Sequence, residues 1–168
     1  LLSKSFNVET NLTFPRFWGL GTSSTLINNV AQWFTIDAFE LLKNSFGGSG
    51  YDIACAQNNS PLIYSLFDGK PIVEPINFIP DFKENLYFLY LNQKQNSKSA
   101  ITSYYLKHYD IDDVKAKINA ITTEITTEVN QDRFESLLQN HEIILSEVLE
   151  METVKERYFA DFKGTIKS

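Results

Sequence analysis

Phe17-Trp18-Gly19-Leu20-Gly21-Thr22-Ser23-Ser24-Thr25-Leu26, followed about one helix later by Gly47-Gly48-Ser49-Gly50-Tyr51-Asp52, is the stretch on which the reading of this chain turns. Gly19 and Gly21 let the backbone approach an anion closely. The hydroxyls of Thr22, Ser23 and Ser24 supply donors and a candidate metal ligand, and the apolar run after them starts a helix whose positive end faces the loop. This is the pattern of a phosphate cradle, though not of Walker type, because no Lys follows Gly21. Taken singly, Gly19-Leu20-Gly21 also suits an ordinary strand-to-helix turn with Ser23 as N-cap, and Asp52 suits a helix N-cap after a glycine turn.

Working outward, residues 8–14 alternate Val8, Thr10, Leu12 and Phe14 against Glu9, Asn11 and Thr13, which predicts a half-buried strand leading into the loop. From Ser23 or Ser24 onward, Leu26, Ile27, Val30, Ala31, Trp33 and Phe34 have helical spacing. A second helix over 36–43 turns Ala38, Leu41 and Leu42 inward and ends at Gly47-Gly48, and a short helix over 51–57 follows. Strands over 62–67 and 72–78 are joined by Asp68-Gly69, a hairpin signal, with Pro75 making the second an edge strand or a broken one. Pro80-Asp81 is the candidate boundary between domains at 1–80 and 81–168. The continuous apolar run 86–91 predicts a buried strand. Ile111, Val114, Ile118, Ile121, Ile125 and Val129, then Phe134, Leu137, Leu138, His141, Ile144, Leu145 and Val148, predict an antiparallel helix pair turning at Asn130-Gln131-Asp132, with Asp132 as cap.

Composition sets outer limits. A chain of 168 residues with 43% hydrophobic and 14% aromatic content is ample for a buried core. Its net charge of -6 argues against a nucleic-acid partner, since phosphate backbones attract basic patches. The single Cys55 excludes an internal disulfide framework and a cysteine-based metal site, which points to a reducing cytoplasm, and it reads as a small buried residue. No apolar run approaches the roughly 20 residues that span a bilayer, so no membrane partner is expected. His108 and His141 are too isolated to form a metal site, and His141, on an apolar helix face, reads as a satisfied core or interface histidine.

Pro15-Arg16-Phe17-Trp18-Gly19-Leu20-Gly21-Thr22-Ser23-Ser24 resembles the second motif of the GHMP kinase family, usually written Pro-x-x-x-Gly-Leu-Gly-Ser-Ser-Ala. Thr22 stands for the first Ser and Ser24 for Ala. The family includes galactokinase, homoserine kinase, mevalonate kinase and phosphomevalonate kinase, and Gly48-Ser49-Gly50-Tyr51-Asp52-Ile53-Ala54 is similar to the Gly-x-Ser-Gly-x-Asp segment of its mevalonate-type members. The resemblance implies a two-layer α+β fold, with the end of an N-terminal ATP-binding domain to residue 80 and part of a helix-rich C-terminal domain after it. It implies an ATP-dependent small-molecule kinase acting on mevalonate or phosphomevalonate in isoprenoid precursor synthesis. The family's first and third motifs have no counterpart between Leu1 and Ser168, so a central piece of a longer kinase is expected. A Lys of the first motif is the family's partner for the catalytic Asp, so the piece alone is expected to be inactive.

Residue by residue, the resemblance assigns the β- and γ-phosphates of ATP to Gly19, Leu20, Gly21, Thr22, Ser23 and Ser24. Asp52 becomes the catalytic residue, orienting or deprotonating the acceptor hydroxyl. Ser23 and Glu40 become the ligands of Mg2+, with Asp37 as the alternative to Glu40, which also reads as an ordinary solvated helix residue. Ser49, Gly50 and Lys94 become substrate contacts. The cationic loop at Lys94, Asn96, Ser97 and Lys98, otherwise a solvated loop, would attract a small anionic acceptor. A sugar kinase of the same family is one alternative, and a non-catalytic nucleotide-binding or interaction module is another. Apolar strands exposed at the two ends predict a homodimer.

Overall fold

The computed structural model of the chain describes residues 5–92 and 111–168. They mix helices with one small antiparallel sheet, an α+β composition, and they divide into two compact units, 5–75 with 89–92, and 76–88 with 111–168.

In the first unit a 3-10 turn, Arg16–Trp18, precedes three helices, α1 Thr22–Phe34, α2 Ala38–Lys43 and α3 Tyr51–Gln57, and the hairpin β1 Leu62–Phe67 with β2 Lys70–Pro75. Helical spacing puts Ile27 and Ala31 of α1, Ala38 and Leu42 of α2 and Ile53 of α3 into one core, with Phe39 and Leu41 packed on it. Asn28 of α1 is buried, donates to the Ala56 carbonyl at 3.5 Å and accepts from Gln57 at 3.1 Å. A buried amide must find such partners, and here they lock α1 to α3. The hairpin pairs Leu62 with Pro75 and Phe67 with Lys70. Asp68 and Gly69 both take positive φ, as a two-residue turn that matches strand twist requires.

The second unit contains a 3-10 turn, Asp81–Asn85, and the helices α4 Ile111–Ile125, α5 Gln131–Leu149 and α6 Val154–Tyr158. Phe134 of α5 is buried against Phe82 and Phe78, with ring centroids 4.9 and 5.9 Å away. α4 and α5 pack together, and Arg133 reaches back to Glu124 at 2.6 Å. Residues 164–168 lie on α5: Gln139 donates to Thr165, Thr165 to Glu135, and Lys167 pairs with the buried Glu142 at 2.9 Å. Among the described residues no helix is long and apolar enough to cross a membrane.

Five expectations are corrected. Residues 8–14 form no strand, and neither do 86–91. Among the described residues the only sheet is β1 with β2, so neither segment has a strand beside it to complete a ladder, and Tyr87 and Phe88 are 85% and 96% exposed rather than buried. The second hairpin strand covers Lys70–Pro75 rather than 72–78, because the two-residue turn fixes the register. α4 stops at Ile125 and leaves Val129 exposed, where Thr122, Thr123, Thr126 and Thr127 turn their hydroxyls back onto carbonyls three or four residues earlier. Asn130, not Asp132, caps α5, its side chain accepting from the Arg133 N–H at 2.9 Å.

Candidate functional site

The two glycine-rich stretches lie at the N-termini of α1 and α3. Trp18 N–H bonds the Pro15 carbonyl at 3.1 Å, which closes the short turn and delivers the chain to Gly19 at φ 77°. Gly21 is the N-cap of α1 at φ 68°, so Ser23 does not take that position. Both glycines are left-handed, a conformation that disfavours any side chain. A Cβ at either would meet nothing within 4 Å, so the requirement is conformational and the space beside the loop is open.

What this start leaves undone matters more. The first N–H groups of a helix have no partner within it, and no side chain caps α1. The Gly21 carbonyl accepts both the N–H and the hydroxyl of Thr25, at 3.0 and 3.1 Å. Among the described residues the N–H groups of Thr22, Ser23 and Ser24 have no hydrogen-bond partner and open the helix at its positive end. Ser23 is exposed and Thr22 half-buried, while Ser24 is buried.

Asp37 caps α2, its Oδ1 accepting from the Glu40 N–H at 2.9 Å. That gives Asp37 a structural duty and leaves the Glu40 carboxylate exposed on the first turn. Oxygen donors from a hydroxyl and a carboxylate suit a hard divalent cation such as Mg2+, which takes few protein ligands and keeps waters and phosphate oxygens. Among the described residues no three His, Cys, Asp or Glu side chains group into a self-sufficient metal site.

Gly47, Gly48 and Gly50 all have positive φ. Gly50 is the N-cap of α3 at φ 87°, and Asp52 stands exposed on that helix's first turn. Unlike Gly19 and Gly21, Gly50 is buried and tightly surrounded: a Cβ there would lie 2.8 Å from Phe39 Cδ1 and 3.1 Å from the Tyr64 hydroxyl. That hydroxyl donates to the Ser49 carbonyl, and the Tyr64 ring meets Tyr51 edge-on at 5.8 Å. Ser49 Oγ accepts from the Tyr51 N–H at 3.4 Å. The Tyr51 hydroxyl pKa is raised, first by its hydrogen bond with Cys55 and then by burial, and that of Tyr64 is raised by burial.

Phe39 and Tyr64 escaped the sequence reading, because each reaches Gly50 from a different element. Cys55 is exposed rather than buried, since α3 turns Ile53 and Ala54 into the core. His141 is not the satisfied histidine expected: among the described residues its buried Nδ1 has no hydrogen-bond partner, and burial, then the Lys167 charge, lowers its pKa. Lys94, with Asn96, Ser97, Lys98 and His108, lies outside the described residues. No protein-family model, curated protein or solved structure matches the chain.

Proposed function

We propose that this chain carries the nucleotide-binding and catalytic segment of an ATP-dependent small-molecule kinase of the GHMP type, with mevalonate or phosphomevalonate as its acceptor. The observation that supports it best is the start of α1: two left-handed glycines, open space beside them and an uncapped helix end. Such an end binds anions, through aligned N–H donors and a helix dipole of roughly half a charge. The N–H groups from Gly19 to Ser24 receive the β- and γ-phosphates of ATP. ATP, when bound, would supply the phosphoryl group; Ser23 and Glu40 would hold Mg2+, which would neutralise phosphate charge.

Asp52 does the acid–base work. Exposed behind Gly50, on a helix that Asn28 ties to α1, its carboxylate would orient the acceptor oxygen, and take its proton where that oxygen is an alcohol's, as the oxygen bonds to phosphorus and ADP departs. Ser49 and Gly50 line the acceptor side, and Lys94 attracts its negative charge.

The test is ADP release across mevalonate, phosphomevalonate, homoserine and galactose, measured on this chain and on the longest open reading frame that contains it. Acceptor-dependent release is expected with the mevalonate-type acids, falling roughly 10²-fold to 10⁴-fold in Asp52→Ala. Turnover with galactose alone would make the protein a sugar kinase. Magnesium-dependent ATP binding without turnover on any acceptor would make it a binding module.

A further inference from the structure

We infer that the Tyr64 hydroxyl is the positioning group for Asp52, holding the Ser49–Gly50 turn from which the first turn of α3 presents its carboxylate. The inference rests on the kinase reading above. Two elements converge on that turn. Phe39 of α2 and Tyr64 of β1 close on Gly50 from the places where a Cβ would project. Tyr64 donates its hydroxyl proton to the Ser49 carbonyl, one peptide before Gly50. Its ring then supports Tyr51, the residue immediately before Asp52, in an edge-on contact.

The turn has little else to hold it. Gly47, Gly48 and Gly50 all have positive φ, and a glycine-rich segment loses more conformational freedom on ordering than any other. α3 has no side-chain cap, and the Ser49 hydroxyl makes only a long 3.4 Å bond with the Tyr51 N–H. The Tyr64 bond spans 15 residues and anchors the turn to the hairpin rather than to its own neighbours. A tyrosine hydroxyl keeps its proton, and so remains a donor, through the neutral range, and burial moves the Tyr64 pKa further up. Removing it leaves Asp52 in place chemically but loosens the backbone that aims it. Catalytic geometry is sensitive to such loosening even when the reacting group is untouched.

The experiment compares wild type with Tyr64→Phe, which keeps the ring and deletes the donor, in the longest reading frame that contains the chain. Amide hydrogen exchange at Ala54, whose N–H bonds the Gly50 carbonyl at 3.1 Å, is expected to quicken about tenfold, roughly the worth of one hydrogen bond. kcat is expected to fall by about the same factor or more, with KM for ATP unchanged. Thr153→Ala, which removes a cap in the other unit, serves as the stability control and leaves kcat at the wild-type value. Unchanged exchange in Tyr64→Phe, an unchanged kcat, or a rise in KM for ATP that matches the loss in kcat would each overturn the inference. A wild type without acceptor-dependent turnover overturns the kinase reading, and the inference with it, whatever the exchange result.

Discussion

Helices α1 and α3 of the first unit begin in the opposite way to α5 and α6 of the second. In the second unit Asn130 caps α5 through its side chain, and α6 opens with a complete capping box, Thr153 accepting from the Glu156 N–H while Glu156 accepts from that of Thr153. These ends satisfy themselves. In the first unit α1 and α3 start behind left-handed glycines with no side-chain cap. A side-chain cap is worth about 1 kcal/mol, so a helix end without one forgoes stability that Ser, Thr, Asp or Asn readily supplies. α2 shows that the first unit can supply it, through Asp37. The starts without a side-chain cap coincide with the two motifs that carry the proposed chemistry.

The sharpest way to break that comparison is at Gly21. Gly21→Val places a β-branched side chain at φ 68°, where a left-handed residue costs about 1–2 kcal/mol. No atom lies within 4 Å to collide with the new Cβ, so the loop is expected to leave its left-handed form and ATP affinity to fall more than tenfold by calorimetry. Gly21→Asn, which tolerates that region, is expected to lose less. Equal affinities for wild type and Gly21→Val would remove the loop from the site.

A smaller effect sharpens the other side. Thr153→Ala and Asn130→Ala are each expected to lower unfolding free energy by about 1 kcal/mol, read by urea denaturation, while ATP affinity stays at the wild-type value. Loss of nucleotide binding in either would show that capped ends matter to the site as well.

The smallest effect concerns pH. His141 has its pKa lowered below the ordinary 6.5, by burial first and by Lys167 next, against the opposing pull of Glu142. The fold favours its neutral form, so the unfolded chain binds the proton more readily. Stability is therefore fully present above pH 6.5 and is lost as pH falls from there toward the lower folded value. Glu135, lowered by hydrogen bonds from Gln131 and Thr165, adds a loss of the same sign in more acid solution, below the ordinary carboxylate value. Thermal melts of His141→Gln between pH 7 and 5 should show a flatter decline than wild type; parallel curves would place the titration elsewhere.

Local signals were legible in the sequence and pairwise ones were not. α3 covers the residues that its spacing predicts, and Asp68-Gly69 turns the hairpin, because backbone conformation there depends on adjacent residues alone. The runs 8–14 and 86–91 look like strands by pattern, yet a strand exists only when a neighbour completes its ladder. Both Asn130 and Asp132 are good capping residues, and composition could not choose between them; the side-chain bond to Arg133 does. In the site, the glycines and Asp52 stand out from their spacing. Tyr64 did not, since its contact with Ser49 joins residues 15 apart and leaves no mark on the sequence between them.

The measurement that tests the central claim most directly is a titration of the isotopically labelled chain with Mg-ATP, followed at backbone amides. The account predicts that the Gly21, Thr22, Ser23 and Ser24 resonances move in a saturable way while those of Gln131 to Arg133 and Val154 to Glu156 stay fixed. Equal movement at both sets, or none at residues 21–24, would contradict it.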